Sequence, residues 1–172
     1  MSSGKRLALL LLCLSTVACD RVTKVAASAV LAGGEDRLYL GDLVRLTYAE
    51  NTGAFLSLGA EWPPVLRLVV FIGFSGIALV YLASIWWRHA SPPWQKTGIA
   101  LFVVGGALNW WDRVTQGYVV DFLVVGSGRL STGVFNVADV ALLGGAIVFV
   151  GTEAWKRGRR NETRDTPDLR NT

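Results

Sequence analysis

The sequence predicts a membrane protein of the all-α transmembrane class: a four-helix transmembrane bundle with a small extracytoplasmic β segment. Three observations predict it. Apolar residues make up 52% of the 172-residue chain and gather into four long runs, as membrane spans require. The basic residues outside these runs collect beside alternate ends of them. One connection, residues 33–64, alternates apolar and polar positions as short strands do. The length suits one domain. We place it at residues 1–160, with residues 161–172 as a disordered cytoplasmic tail.

The first run follows Lys5 and Arg6. Leu7 to Ala18 has the form of a signal peptide, and Thr16-Val17-Ala18-Cys19 has the form of a loose lipobox. A cleaved signal peptide leaves a largely soluble remainder. Here three further spans follow, and the apolar pattern resumes at Val22, Val25 and Ala26. A retained helix from Leu7 to Leu31 is therefore expected, about 25 residues long and able to cross with some tilt. Asp20 and Lys24 stand i, i+4 near its outer end, acid first, the better order for a helical pair. They are either a local ion pair near lipid or support for a site; spacing does not separate the two. Cys13 and Cys19 are too few for a disulfide framework.

Residues 33–64 form the largest polar interval before the tail. Leu38, Leu40, Leu43, Val44, Leu46 and Tyr48 alternate in part, and Gly41-Asp42 supplies a turn. Asn51-Thr52-Gly53-Ala54-Phe55 follows, where Gly53 permits close backbone approach or a positive φ. Phe55, Leu56, Leu58 and Trp62 are expected at the lipid interface. The interval is too small for a domain of its own and reads as a β patch on the membrane surface.

Leu66 to Trp87 is the clearest span, a helix of about 33 Å, with Trp86 and Trp87 as an aromatic anchor. His89, the only histidine, falls in the polar loop that follows, and a lone histidine makes a structural zinc site unexpected. Thr97 to Trp111 is the third span, rich in Gly and Ala for close packing. Phe135 to Trp155 is the fourth, with Gly144-Gly145 at its middle. Lys5, Arg6, Arg88, Lys96 and the cationic tail share one side, which the positive-inside rule makes cytoplasmic. A cationic flank beside a span explains the tail better than a nucleic-acid arm does, so no nucleic-acid partner is expected. No nucleotide or serine-hydrolase motif appears.

With both termini cytoplasmic, Asp20, Lys24, Asn51, Asn109, Asp112, Arg113, Asp121, Asn136 and Asp139 all face outward. Asn109 and Asp112 are i, i+3 at the end of the third span, and Asn136 and Asp139 repeat that spacing at the start of the fourth. Asp121 interrupts the apolar run Val119-Val120-Asp121-Phe122-Leu123 between them. Helix capping accounts for Asn136 and Asp139 but leaves Asp121 unexplained. Two close carboxyls cannot both ionise cheaply, so one keeps its proton while the other takes a proton from water. On that chemistry Asp121 and Asp139 form an aspartic-protease pair. Arg113 is expected to neutralise Asp112, leaving that acid structural. A carboxylate-lined ion or proton pathway in a small transporter or channel is the alternative.

At these residues the chain resembles bacterial lipoprotein signal peptidase, also called signal peptidase II. Asp20-Arg21-Val22-Thr23-Lys24, Asn51-Thr52-Gly53-Ala54-Phe55, Asn109-Trp110-Trp111-Asp112-Arg113, Val120-Asp121-Phe122 and Phe135-Asn136-Val137-Ala138-Asp139 resemble its five motif blocks, in family order. The resemblance implies a cofactor-free, metal-free aspartic endopeptidase of the bacterial cytoplasmic (inner) membrane. It would cut diacylglyceryl-modified prolipoproteins at the outer face. By motif position Asp121 and Asp139 would be catalytic. Asn51, Gly53, Asn109, Arg113 and Asn136 would line the substrate site, with Asp20, Lys24 and Asp112 supporting it. Sensitivity to globomycin-type cyclic peptides and a monomeric state are expected. Two departures stand out. Leu108 replaces a family Gly, and Phe55-Leu56 follows Ala54 where the family has a second Ala. Both place a larger residue near the expected substrate groove.

Overall fold

A computed structural model describes residues 1–54, 57–88 and 91–165 of the chain. The expectations for Phe55, Leu56, His89 and residues 166–172 lie outside the described residues. Helix α1 runs unbroken from Ser3–Leu31, so the lipobox-like Cys19 sits in mid-helix, and both cysteines are free thiols. Two strands follow, β1 at Arg37–Tyr39 and β2 at Val44–Asn51. A helical stretch from Pro64 to Arg88 comes next, divided into α2 (Pro64–Arg67), a π-helical segment (Leu68–Phe74) and α3 (Ser75–Arg88). Then come α4 (Pro93–Gln116), β3 (Val119–Val125) and α5 (Val137–Asp165). Helix α5 thus extends five residues into the interval read from sequence as a disordered tail.

Helix α4 is the centre of the helical part, packing against α1, α3 and α5. Its contact with α5 is the closest. A Cβ on Gly145 would lie 2.5 Å from both the carbonyl oxygen of Gly98 and the amide nitrogen of Phe102, so the two backbones meet with no side chain between them. Pro64–Arg88 is the one stretch among the described residues that is long and apolar enough by itself to cross a membrane, and Val137–Thr152 is a shorter apolar helix. The π-segment was not visible in the sequence. It lies against α4, where the Trp110 indole N–H donates to the Ile72 carbonyl at 2.9 Å, a partner for a backbone group in the irregular turn.

The three strands form one antiparallel sheet in the order β1-β2-β3. The β1–β2 turn falls at residues 40–43, as Tyr39 pairs with Val44 and Asp42 adopts a positive φ of 68°. The third strand departs from the sequence expectation, which places the sheet within residues 33–64 and a return loop at Val119–Val125. Strand alternation explains its composition. Val120 and Phe122 pack on Ala27 and Leu31 at the C-terminal end of α1, and Asp121 between them turns to the other face. The β2–β3 register shifts between Leu46 and Ala49, so Thr47 and Tyr48 oppose Phe122 alone. Such a bulge bends the strand and re-aims its neighbours, here beside Asp121.

Candidate active site

The site is assembled where β3 meets the start of α5. The Phe135 carbonyl accepts the amides of Phe122 and Leu123 at 3.1 and 3.0 Å, and the Phe135 amide donates to Leu123 O at 2.9 Å. These bonds bring the next residue, Asn136, beside Asp121. Asn136 precedes the first residue of α5 and caps it. Its Oδ1 accepts the Asp139 amide at 3.0 Å, and Asp139 Oδ2 accepts the Asn136 amide at 3.2 Å. This reciprocal pair is a capping box. The capping explanation of Asn136 and Asp139 is therefore realised. The cap leaves the Asn136 Nδ2 free to donate to Asp121 Oδ1 at 2.6 Å and to Asn109 Oδ1 at 3.3 Å.

Each carboxylate has a second asparagine. Asn51 Nδ2 donates to Asp121 Oδ2 at 2.8 Å, and Asn109 Nδ2 donates to Asp139 Oδ1 at 2.8 Å. Asp121 is 1% exposed and Asp139 7%. Burial pushes Asp121 above the ordinary carboxylate range, against the opposing pull of Asn51, Asn136, Lys24 and Arg113. An acid held this way keeps its proton to higher pH than a surface aspartate.

The other predicted residues form a second tier. Asp20 and Lys24 make the expected i, i+4 ion pair at 3.0 Å, fully buried at the acid. Lys24 also reaches Asp112 Oδ2 at 2.8 Å and Asn109 Oδ1 at 2.9 Å. Asp20 Oδ1 accepts the Ala138 amide at 3.0 Å, so a side chain of α1 satisfies an orphan donor at the head of α5. The pair is thus a local ion pair that also contacts α4 and the head of α5.

One expectation is corrected. Arg113 makes no ion pair with Asp112 among the described residues. That acid is held by Lys24 and by Arg21, whose Nη1 lies 2.6 Å from Oδ1. Arg113 instead donates from Nε to the Gly53 carbonyl at 3.1 Å, from Nη2 to the same oxygen, and from Nη1 to Asn109 O at 3.0 Å. Leu108 is buried, and its backbone carbonyl accepts Arg21 Nη2 at 3.2 Å. Arg21 is the residue that sequence reasoning missed. Its signal was available, since it stands i, i+3 from Lys24 on the same face.

Gly53 resolves in favour of close approach. A Cβ there would meet the Leu58 carbonyl at 2.5 Å and the Ala60 amide at 2.8 Å. Its amide donates to Asn51 Oδ1 at 2.9 Å and Asn51 Nδ2 donates to Ala54 O at 2.9 Å, which folds the segment into a tight turn whose Asn51 also holds Asp121. Beside the two acids lies a cavity of about 250 Å³, lined by Asn109, Arg113 and Asp139 together with Phe71, Leu79 and Leu142. Among the described residues no cluster of three His, Cys, Asp or Glu side chains is arranged to hold a metal ion.

The family model for signal peptidase (SPase) II matches residues 12–154. The chain belongs to the signal peptidase II family. Among its relatives in that family, the lipoprotein signal peptidase of Mycobacterium avium is 37% identical over 155 residues, covering 85% of this chain and 79% of the relative. That of Pseudomonas syringae pv. tomato is 35% identical over 163 residues, covering 92% and 91%. Two solved bacterial membrane enzymes share the fold. One superposes with a TM-score of 0.76 at 22% identity, covering 94% of this chain and 93% of that one. The other gives 0.72 at 25% identity, covering 84% and 91%. This family member is a bacterial membrane protein with a protease's lineage, and its five motif blocks converge on the site described above.

Proposed function

We propose that this chain removes signal peptides from diacylglyceryl-modified prolipoproteins by aspartic catalysis, with Asp121 and Asp139 as the catalytic pair. Family membership supports the substrate class and the cleavage of a peptide bond. The observation that carries the mechanism is that one residue, Asn136, hydrogen-bonds both buried carboxyl groups. In this reading one acid is ionised and takes a proton from water as the water oxygen attacks the scissile carbonyl carbon. The other is neutral, donates to the carbonyl oxygen, and the tetrahedral intermediate collapses as a proton passes to the departing amine. The protons titrate with the pair and belong to neither acid alone.

Asn51 and Asn109 fix the carboxyl rotamers from opposite sides. Arg113, tied to the Gly53 carbonyl, holds the 51–54 segment over the site. The adjoining cavity supplies apolar walls for a lipid-bearing substrate beside Asp139. The whole-molecule picture that goes with this is four membrane spans, both termini cytoplasmic, and the sheet on the outer face of the inner membrane. In it the chain works as a monomer and is blocked by globomycin-type cyclic peptides. The competing ion-pathway reading finds no support among the relatives.

The test is a gel-shift assay with purified chain and two precursors, one diacylglyceryl-modified and one with a bare cysteine. Cleavage of the lipidated precursor alone, blocked by globomycin, is the expected result. Proton flux in liposomes without cleavage of either precursor would overturn the reading.

A further inference from the structure

The helices leave a second opening at the end opposite the two acids. Leu9, Leu10 and Cys13 of α1, Ala83 and Trp86 of α3, and Ala100 and Val103 of α4 line an apolar crevice of about 360 Å³. A second cavity of about 370 Å³ shares Arg6 and Trp86 with it and adds Lys96. An apolar chamber thus continues into a cationic one, and among the described residues no acidic side chain lines either. Trp86 stands at the junction and is fixed there. Its indole N–H donates to the Lys96 carbonyl at 3.0 Å, and the Lys96 ammonium lies 5.3 Å from its ring centroid. An indole at the border of apolar and charged surroundings marks a membrane–water interface.

We propose that this crevice binds one anionic phospholipid, its phosphate between Arg6 and Lys96 and an acyl chain along Leu9, Cys13 and Val103. The proposal rests on reading these helices as membrane spans. The chemistry selects the ligand. Two cations without an acidic counter-charge favour an anion, and the continuous apolar wall favours one that carries a hydrocarbon chain. A signal peptide is a poor occupant, since its leading segment is itself cationic. Neither Arg6 nor Lys96 touches the residues of the candidate active site, so lipid retention and cleavage are separable properties.

Native mass spectrometry of the purified full chain, titrated with phosphatidylglycerol or phosphatidylcholine of matched chains, tests it. The chain is expected to retain phosphatidylglycerol at least about tenfold better, in keeping with two basic contacts. Arg6→Gln with Lys96→Gln should bring the ratio close to one while cleavage of lipidated precursor in detergent is unchanged. Arg6→Lys with Lys96→Arg should keep the preference. Filling the apolar half by Cys13→Trp should release both lipids. Equal retention of the two lipids by the unaltered chain, or a preference that survives the double Gln variant, would overturn the proposal. So would displacement of the bound lipid by soluble glycerol phosphate, which would mark a free-phosphate site. Loss of cleavage in the unaltered chain would count against the peptidase reading and leave the lipid ratio to be judged separately.

Discussion

The Asn136 side chain donates to Asp121 at 2.6 Å while its carbonyl oxygen accepts the Asp139 amide at 3.0 Å. Among the described residues no guanidinium or ammonium is hydrogen-bonded to either acid. Neutral amides, which orient a carboxyl group without fully stabilising its charge, do that work instead. The consequence is a pH dependence with a definite sign. Burial raises Asp121, and the hydrogen bonds from Asn51 and Asn136 lower it. Asn51→Ala removes one lowering contribution, so the coupled pair should hold its protons to higher pH, and the acid limb of the cleavage profile should move upward. A limb that stays in place or moves down would show that Asn51 acts elsewhere. Asp112 differs in kind, because Lys24 and Arg21 saturate it. Asp112→Asn leaves a buried ammonium short of charge, at a cost of about 3–5 kcal/mol. Thermal unfolding in detergent should record a large drop in Tm, with residual turnover per folded molecule largely kept.

At the scale of elements, the local pairs were legible and the long-range ones were not. The spacings Asp20–Lys24 and Asn136–Asp139 are i, i+4 and i, i+3, each about one helical turn, so sequence alone puts them on shared faces. The β1–β2 turn announced itself through Gly41-Asp42. Strand β3 did not. Its single acid in an apolar run looks like an interruption until the strand is paired, because half of its faces are buried against a helix some ninety residues earlier. Asp112 was assigned to its neighbour Arg113 for the same reason. Adjacent helical residues point apart, and the true partners, Lys24 and Arg21, come from α1. The π-segment leaves no periodicity signal in a run that is apolar throughout. The Gly and Ala content of the third span predicts close helix packing, but only the structure says that α5 is the partner and which glycine bears the contact. Gly145 faces Gly98 and Phe102, while a Cβ on Gly144 would meet nothing within 4 Å. Gly145→Ala should therefore lower Tm, by roughly 1–3 kcal/mol in stability, and Gly144→Ala should be neutral or slightly stabilising. Equal effects from the two would contradict the packing described.

For the whole molecule, the sheet and the polar heads of α1, α4 and α5 gather at one end, and Arg6, Trp86 and Lys96 lie at the other. Among the described residues only Pro64–Arg88 is apolar enough to be read as a span by itself; the other long helices carry the polar tiers that build the site. Orientation can be tested in a variant lacking Cys13 and Cys19. A cysteine at Glu35, beside β1, should react with an impermeant maleimide in intact spheroplasts. A cysteine at Ser3 should react only after lysis. The reverse pattern would invert the topology and put the acids on the wrong face for their substrates.

The claim that matters most is that the two acids bridged by Asn136 perform the cleavage. Single-turnover cleavage of a diacylglyceryl-modified precursor by Asp121→Asn and by Asp139→Asn, each purified as folded protein, measures it directly. Each substitution should slow the cut by at least about a thousandfold, with thermal stability close to that of the unaltered chain. Near-normal turnover by either variant would contradict the account.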